Sequence, residues 1–219
     1  APGAQKRCPR KHAAQHSAER AGKVRPAMLS RRETNSIIPM QYPLHCHPDS
    51  ACASLCAVDA SASLNESGAL TLRYRLHGAA DALCIPVPAA PGARDGLWQH
   101  TCFEAFVAAV DEPGYREFNF SPSGEWASYR FTAYRERDAA PLPDSPPQTV
   151  FRHGAAGFEL NAMLAPELLP PGKALAIGLT AVLEAADGSK SYWALAHCAA
   201  KPDFHLRASF SLTLQRTMP

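Results

Sequence analysis

The 219-residue chain has room for one domain of ordinary size plus a tail. Its 46% hydrophobic and 19% charged residues describe a packed chain rather than a disordered or fibrous one, and it has no run of about 18 apolar residues to span a membrane. The net charge of +2 hides a split: residues 1–39 hold nine of the 22 Lys and Arg but two of the 20 Asp and Glu, a local +7 that leaves −5 for the rest and no reason to expect nucleic acid as a partner.

Residues 1–39 show no apolar periodicity and neither the apolar core nor the Arg-rich amphipathic stripe of a targeting peptide. They are expected to form a disordered basic extension, with a basic arm touching an anionic polymer as the alternative. Met40 stands directly before the first ordered-looking segment, so the domain is expected over residues 40–219. From there the pattern is that of strands. Residues 54–64 alternate loosely. After Glu66-Ser67-Gly68, residues 69–77 place Leu70, Leu72, Tyr74 and Leu76 against Thr71, Arg73, Arg75 and His77, a half-buried strand. Residues 83–87 form a short run that stops at prolines. Residues 101–110 are apolar except for Glu104, which suits a strand buried on both faces. Residues 115–120 and 126–135 flank Ser121-Pro122-Ser123-Gly124, a hairpin signal. Residues 149–153, 157–163, 174–184, 191–197 and 209–215 supply five more strands, and residues 165–169 a single helical turn. About ten short strands with turn residues between them predict an all-β sandwich or barrel.

With Ser121–Gly124 as the loop, Phe120 should face Glu125 and Phe118 should face Ala127. Alternation then puts Phe118, Phe120, Ala127, Tyr129 and Phe131 on the core face. Tyr115, Glu117, Asn119, Trp126, Ser128 and Arg130 fall on the other, polar face. That face is either a ligand floor with one flat aromatic or a solvated surface bearing a Glu117–Arg130 ion pair.

The stretch Leu97-Trp98-Gln99-His100-Thr101-Cys102-Phe103-Glu104-Ala105-Phe106 resembles the bacterial DOMON-like proteins, relatives of the family 9 carbohydrate-binding modules. So does Tyr115-Arg116-Glu117-Phe118-Asn119-Phe120-Ser121-Pro122-Ser123-Gly124-Glu125-Trp126. Tyr192-Trp193-Ala194-Leu195-Ala196-His197 and Lys201-Pro202-Asp203-Phe204-His205 fit the same group, so the resemblance spans roughly residues 43–215. It implies an immunoglobulin-like sandwich of about nine to eleven antiparallel strands. The wider superfamily binds sugars in some members and haem in others. In the sugar binders two aromatic rings clamp a terminal sugar while Asn, Gln, Glu and Arg satisfy its hydroxyls. Trp98, Trp126 and Trp193 all lie inside the matching stretches.

Other chemistry is poorly supplied. Seven cysteines at irregular spacings do not form a disulfide framework, which points to a reducing, cytoplasmic setting. His45, Cys46, His47, Cys52 and Cys56 crowd potential zinc ligands together, but no second spaced pair follows. His100, His197 and Met163 are the formal candidates for a haem axial ligand. No nucleophile elbow, phosphate loop, dinucleotide fingerprint or metalloprotease motif occurs. The expectation is therefore a non-catalytic binding module for a small ligand, a saccharide first, with no cofactor and no metal. The ligand-binding candidates are Trp98, Glu117, Asn119, Trp126 and Arg130. A haem-binding redox module is the alternative, and a hydrolase comes third. The oligomeric state is open.

Overall fold

The computed structural model describes residues 40–50, 56–78, 82–140, 142–154 and 157–216. The expectation of a disordered extension over residues 1–39 lies outside them. Among the described residues there are twelve strands and three short 3-10 turns, and none of the helical turns is long enough to cross a membrane. The strands are β1 (Tyr42–Cys46), β2 (Cys56–Leu64), β3 (Leu70–Gly78), β4 (Cys102–Ala109), β5 (Tyr115–Phe120) and β6 (Trp126–Ala133). They continue with β7 (Glu136–Asp138), β8 (Gln148–Gly154), β9 (Gly157–Leu164), β10 (Ala174–Glu184), β11 (Lys190–Ala194) and β12 (Leu212–Gln215).

The first sheet runs β1-β2-β3-β9-β8 and the second β7-β6-β5-β4-β10-β11-β1, with β12 also laid on β10; every strand pair is antiparallel. The all-β sandwich expected from the strand pattern is what forms. β1 belongs to both layers: Tyr42, Pro43 and Leu44 pair with β2, whereas His45 and Cys46 pair with β11. Its short, proline-bearing text gave no alternation to read. Pro43 is tolerated because that half of β1 has one neighbour, so a missing N–H need not break a ladder. β7 was equally silent. Residues 83–87, the short run that stops at prolines, contribute a single bridge from Leu83 to Ala185.

Period-2 alternation fills the space between the layers. Leu70, Leu72, Tyr74 and Leu76 of β3, with Phe158, Leu160, Ala162 and Leu164 of β9, meet Phe103, Ala105 and Val107 of β4 and the odd-numbered residues of β10. Trp193 joins this core and donates its indole N–H to Ser191 Oγ at 2.9 Å. A second apolar cluster lies on the far side of the second sheet, built from Phe106, Tyr115, Tyr129, Phe131, Phe204 and Phe210. β4 is accordingly buried on both faces, as its apolar run foretold.

The hairpin register is one residue away from the expected one. Phe120 pairs with Trp126, Asn119 with Ala127 and Glu117 with Tyr129, so the loop has five residues, closed by Ser121 N–H to Glu125 O at 3.0 Å. Within it Ser123 donates to Ser121 Oγ, and Gly124 takes φ +93°, the left-handed conformation a β-carbon disfavours. A one-residue slip moves every side chain of one strand to the other face. Phe118 and Phe120 do face the core, but Trp126, Ser128 and Arg130 share their side of the sheet. Ala127, Tyr129 and Phe131 join Tyr115, Glu117 and Asn119 on the opposite side.

Three of the cysteines, Cys84, Cys102 and Cys198, are free thiols, whereas Cys46 is disulfide-bonded. The spacing of the cysteines gave no sign of a bond at Cys46.

Candidate functional site

The outer face of the second sheet is roofed by two segments, residues 95–99 and 201–205, and between roof and sheet lies a cavity of about 720 Å³. Gly96 introduces the first segment with φ +76°, which turns the chain so that Leu97 packs beneath it and Trp98 stands half exposed at the mouth. Phe204 anchors the second segment in the outer apolar cluster.

The floor is built from rows of side chains that cross the sheet. One row runs Thr180, Glu104, Asn119, Ala127; the next runs Gly178, Phe106, Glu117, Tyr129. Glu104 is 2% exposed and Glu117 5%. Thr180 Oγ1 donates to Glu104 Oε2 at 3.3 Å, and Asn119 Nδ2 donates to Glu117 Oε1 at 2.7 Å. Among the described residues neither carboxyl forms a close pair with Lys or Arg. Burial, joined by the field of Glu117, therefore pushes the Glu104 carboxyl well above the usual carboxylate range. Burial raises Glu117 as well, against the Asn119 hydrogen bond and the more distant Arg135 and Arg137.

A second polar chain forms one wall. Arg135 N–H donates to Tyr115 Oη at 3.1 Å, and Tyr115 Oη lies 2.8 Å from His205 Nδ1. Burial, helped by Arg135, lowers the His205 pKa to about 4, so the ring is neutral near pH 7. Its Nε2 sits 3.8 Å from Glu117 Oε2. With Tyr115 donating to Nδ1, Nε2 carries the proton and faces that carboxyl from beyond hydrogen-bond distance. Tyr129 donates its hydroxyl to Asp95, tying the roof to the floor; burial and that bond both raise the Tyr129 pKa. The guanidinium of Arg137 lies 4.2 Å from the centre of the Tyr129 ring.

Of the residues expected to bind ligand, Trp98 and Glu117 line this cavity. Asn119 is fully buried just behind it, holding Glu117. Trp126 and Arg130 lie on the opposite face, and Arg130 pairs with Asp138 at 2.8 Å, so the expected Glu117–Arg130 pair does not form. Sequence reasoning passed over Glu104, Tyr129, Arg137, Tyr192, Lys201 and His205. The signal for Glu104 was present, a lone acid inside an apolar strand. The signal for His205 and Lys201 was their place in a stretch already singled out.

The expected haem-ligand candidates do not gather here. His100 bonds Glu184 at 2.7 Å, His197 bonds the His45 carbonyl at 2.8 Å, and Met163 belongs to the other sheet. In the crowded 45–56 stretch, His47 accepts the Asp49 N–H at Nδ1 and faces the Ala199 carbonyl with Nε2, so both ring nitrogens are engaged. Cys46 is oxidised. Among the described residues no three His, Cys, Asp or Glu side chains gather as a metal-binding set.

No family model matches the chain, and no curated protein matches it. Solved structures do. A Bacteroides uniformis protein proposed to bind carbohydrate is similar with a TM-score of 0.60 at 17% identity, over 81% of this chain and 86% of that one. A family 9 carbohydrate-binding module of Caldicellulosiruptor kristjanssonii, solved with glucose, is similar with a TM-score of 0.50 at 9% identity, over 78% and 83% of the two chains. At these identities the likeness is one of fold.

Proposed function

We propose that the roofed outer face of the second sheet binds a saccharide, and that the protein works by binding rather than by turnover. The observation that carries this reading is a cavity of about 720 Å³ whose floor holds two buried carboxyls lacking a close cationic partner. Keeping such groups unpaired costs stability, and a fold tolerates that where a ligand completes them. Sugar hydroxyls are donors and acceptors in close array, and Glu104 and Glu117 offer what they need. A sugar also presents apolar C–H faces, and Trp98, Tyr129, Tyr192 and Phe204 supply rings on the walls. The volume suits a small ligand. The fold likeness to a module solved with glucose supports the same choice.

Calorimetric titration of the full chain with a neutral and acidic saccharide panel tests the reading. Trp98→Ala and Glu117→Gln should each weaken a saccharide that binds the wild type by about tenfold, the loss of one charged hydrogen bond or one stacked ring. Chromatography of the incubated saccharide should recover it intact. Equal binding by both variants would move the site elsewhere, and cleavage products would replace binding with catalysis.

A further inference from the structure

The cavity is polarised. Its floor carries Glu104 and Glu117, while its rim carries Arg135, Arg137 and Lys201. These three cations are not equivalent. Arg135 is committed, its Nη2 lying 3.0 Å from Asp203 Oδ1, and Asp203 is held in turn by the Tyr134 hydroxyl. Arg137 and Lys201 have no carboxylate partner among the described residues. Arg137 is nevertheless fixed in place, its guanidinium over the Tyr129 ring, and Tyr129 is itself anchored to Asp95. A stacked guanidinium keeps its in-plane N–H groups free for an acceptor with two or three oxygens. Lys201 comes from the opposite roof segment and lines the same space.

From this arrangement we infer that the ligand is an acidic saccharide, with its ring hydroxyls on Glu104 and Glu117 and its anionic group on Arg137 and Lys201. The inference rests on the saccharide reading above and narrows it. A neutral sugar would satisfy the floor and leave two unpaired cations at the rim. A sugar bearing a carboxylate or sulfate satisfies both ends, and the separation of donors from acceptors fixes its orientation. Carboxylate and sulfate share the chemistry the rim recognises.

The test is a set of matched titrations of the full chain: glucose against glucuronate, galactose against galacturonate, and galactose against galactose 6-sulfate. At least one acidic member should bind about tenfold or more tighter than its neutral partner, and which one does so identifies the acid. That preference should shrink as salt is raised from about 0.05 to 0.5 M, because added ions screen a rim contact. Arg137→Gln and Lys201→Gln should each bring the acidic-to-neutral ratio close to one, while Arg137→Lys and Lys201→Arg should retain part of it. Both side chains are exposed, so the variants are expected to fold. Equal binding of every acidic and neutral pair overturns the acidic ligand and leaves the saccharide reading standing. No binding by any sugar overturns both.

Discussion

The outer faces of the two sheets both carry glutamates, and they treat them in opposite ways. On the first sheet Glu159 receives Arg73 at 2.5 Å, Arg75 at 2.9 Å and Asn161 at 2.8 Å. Partial burial works against its charge, but those hydrogen bonds outweigh it and hold the pKa at about 2. On the second sheet Glu104 and Glu117 are more deeply buried, are met by a hydroxyl and an amide, and have raised pKa values. The first arrangement is self-contained; the second is stable only as far as the surrounding core supports it. Outer-face glutamates on two layers of one sandwich can thus be ion-paired or left without a close cation, and the difference is whether arginines lie beside them in the sheet.

Both faces rely on the shared core, so the largest expected effect breaks that. Phe118→Ala should cost about 3–5 kcal/mol in urea unfolding, as for any fully buried ring removed from a close-packed interior. A loss under about 1 kcal/mol would mean Phe118 does not face the first sheet.

The next effect sharpens the contrast between the carboxyls. A raised folded-state pKa means the folded chain binds more protons than the unfolded chain, so Glu104 weakens the fold as pH rises from about 4.5, the ordinary glutamate range, through its folded value. Glu104→Gln should raise the urea midpoint at pH 8 and converge with wild type near pH 4. A variant less stable than wild type at pH 8 would show that the charged carboxyl is paired after all. His205 sets the opposite limb. Its folded pKa of about 4 lies below the ordinary 6.5, so stability is lost as pH falls from about 6.5 towards 4. Replacing it with Gln should flatten that segment of the stability–pH curve, and an unchanged slope would place the acid loss elsewhere.

Glu159→Ala should have the smallest effect, about 1 kcal/mol or less, because its arginines are partly exposed. If it cost more than Phe118→Ala, the outer face of the first sheet would have to be counted as core.

Strands with strict alternation, such as β3, were legible because one buried face leaves a period-2 trace in Leu70, Leu72, Tyr74 and Leu76. β4 was legible by its continuous apolar run. β1 and β7 were not, because short strands that end or bridge sheets need no such trace. At the hairpin the sequence marks a turn but not its length, and one residue in loop length decides whether Trp126 or Tyr129 faces the cavity. Glu117 and Trp98 do line the cavity, one from β5 and the other from the loop that precedes β4. His205 joins the site from a segment 88 positions after Glu117, a closeness only the folded roof creates.

The strand shared by the two sheets also has a kinetic consequence. β1 pairs with β2, its near neighbour in the chain, and with β11, almost 150 residues further on. Among the described strand pairs, that of β1 with β11 closes the longest loop, so its entropic cost comes due only after the intervening chain has collapsed. During synthesis β1 emerges long before its second partner exists, with half of its hydrogen-bonding edge open. The seam that unites the layers is thus expected to be the last to zip and, on unfolding, among the first to part. Hydrogen exchange at the backbone amides of His45 and Cys46 should then be faster than at Leu72 or Ile177 in the middle of the layers.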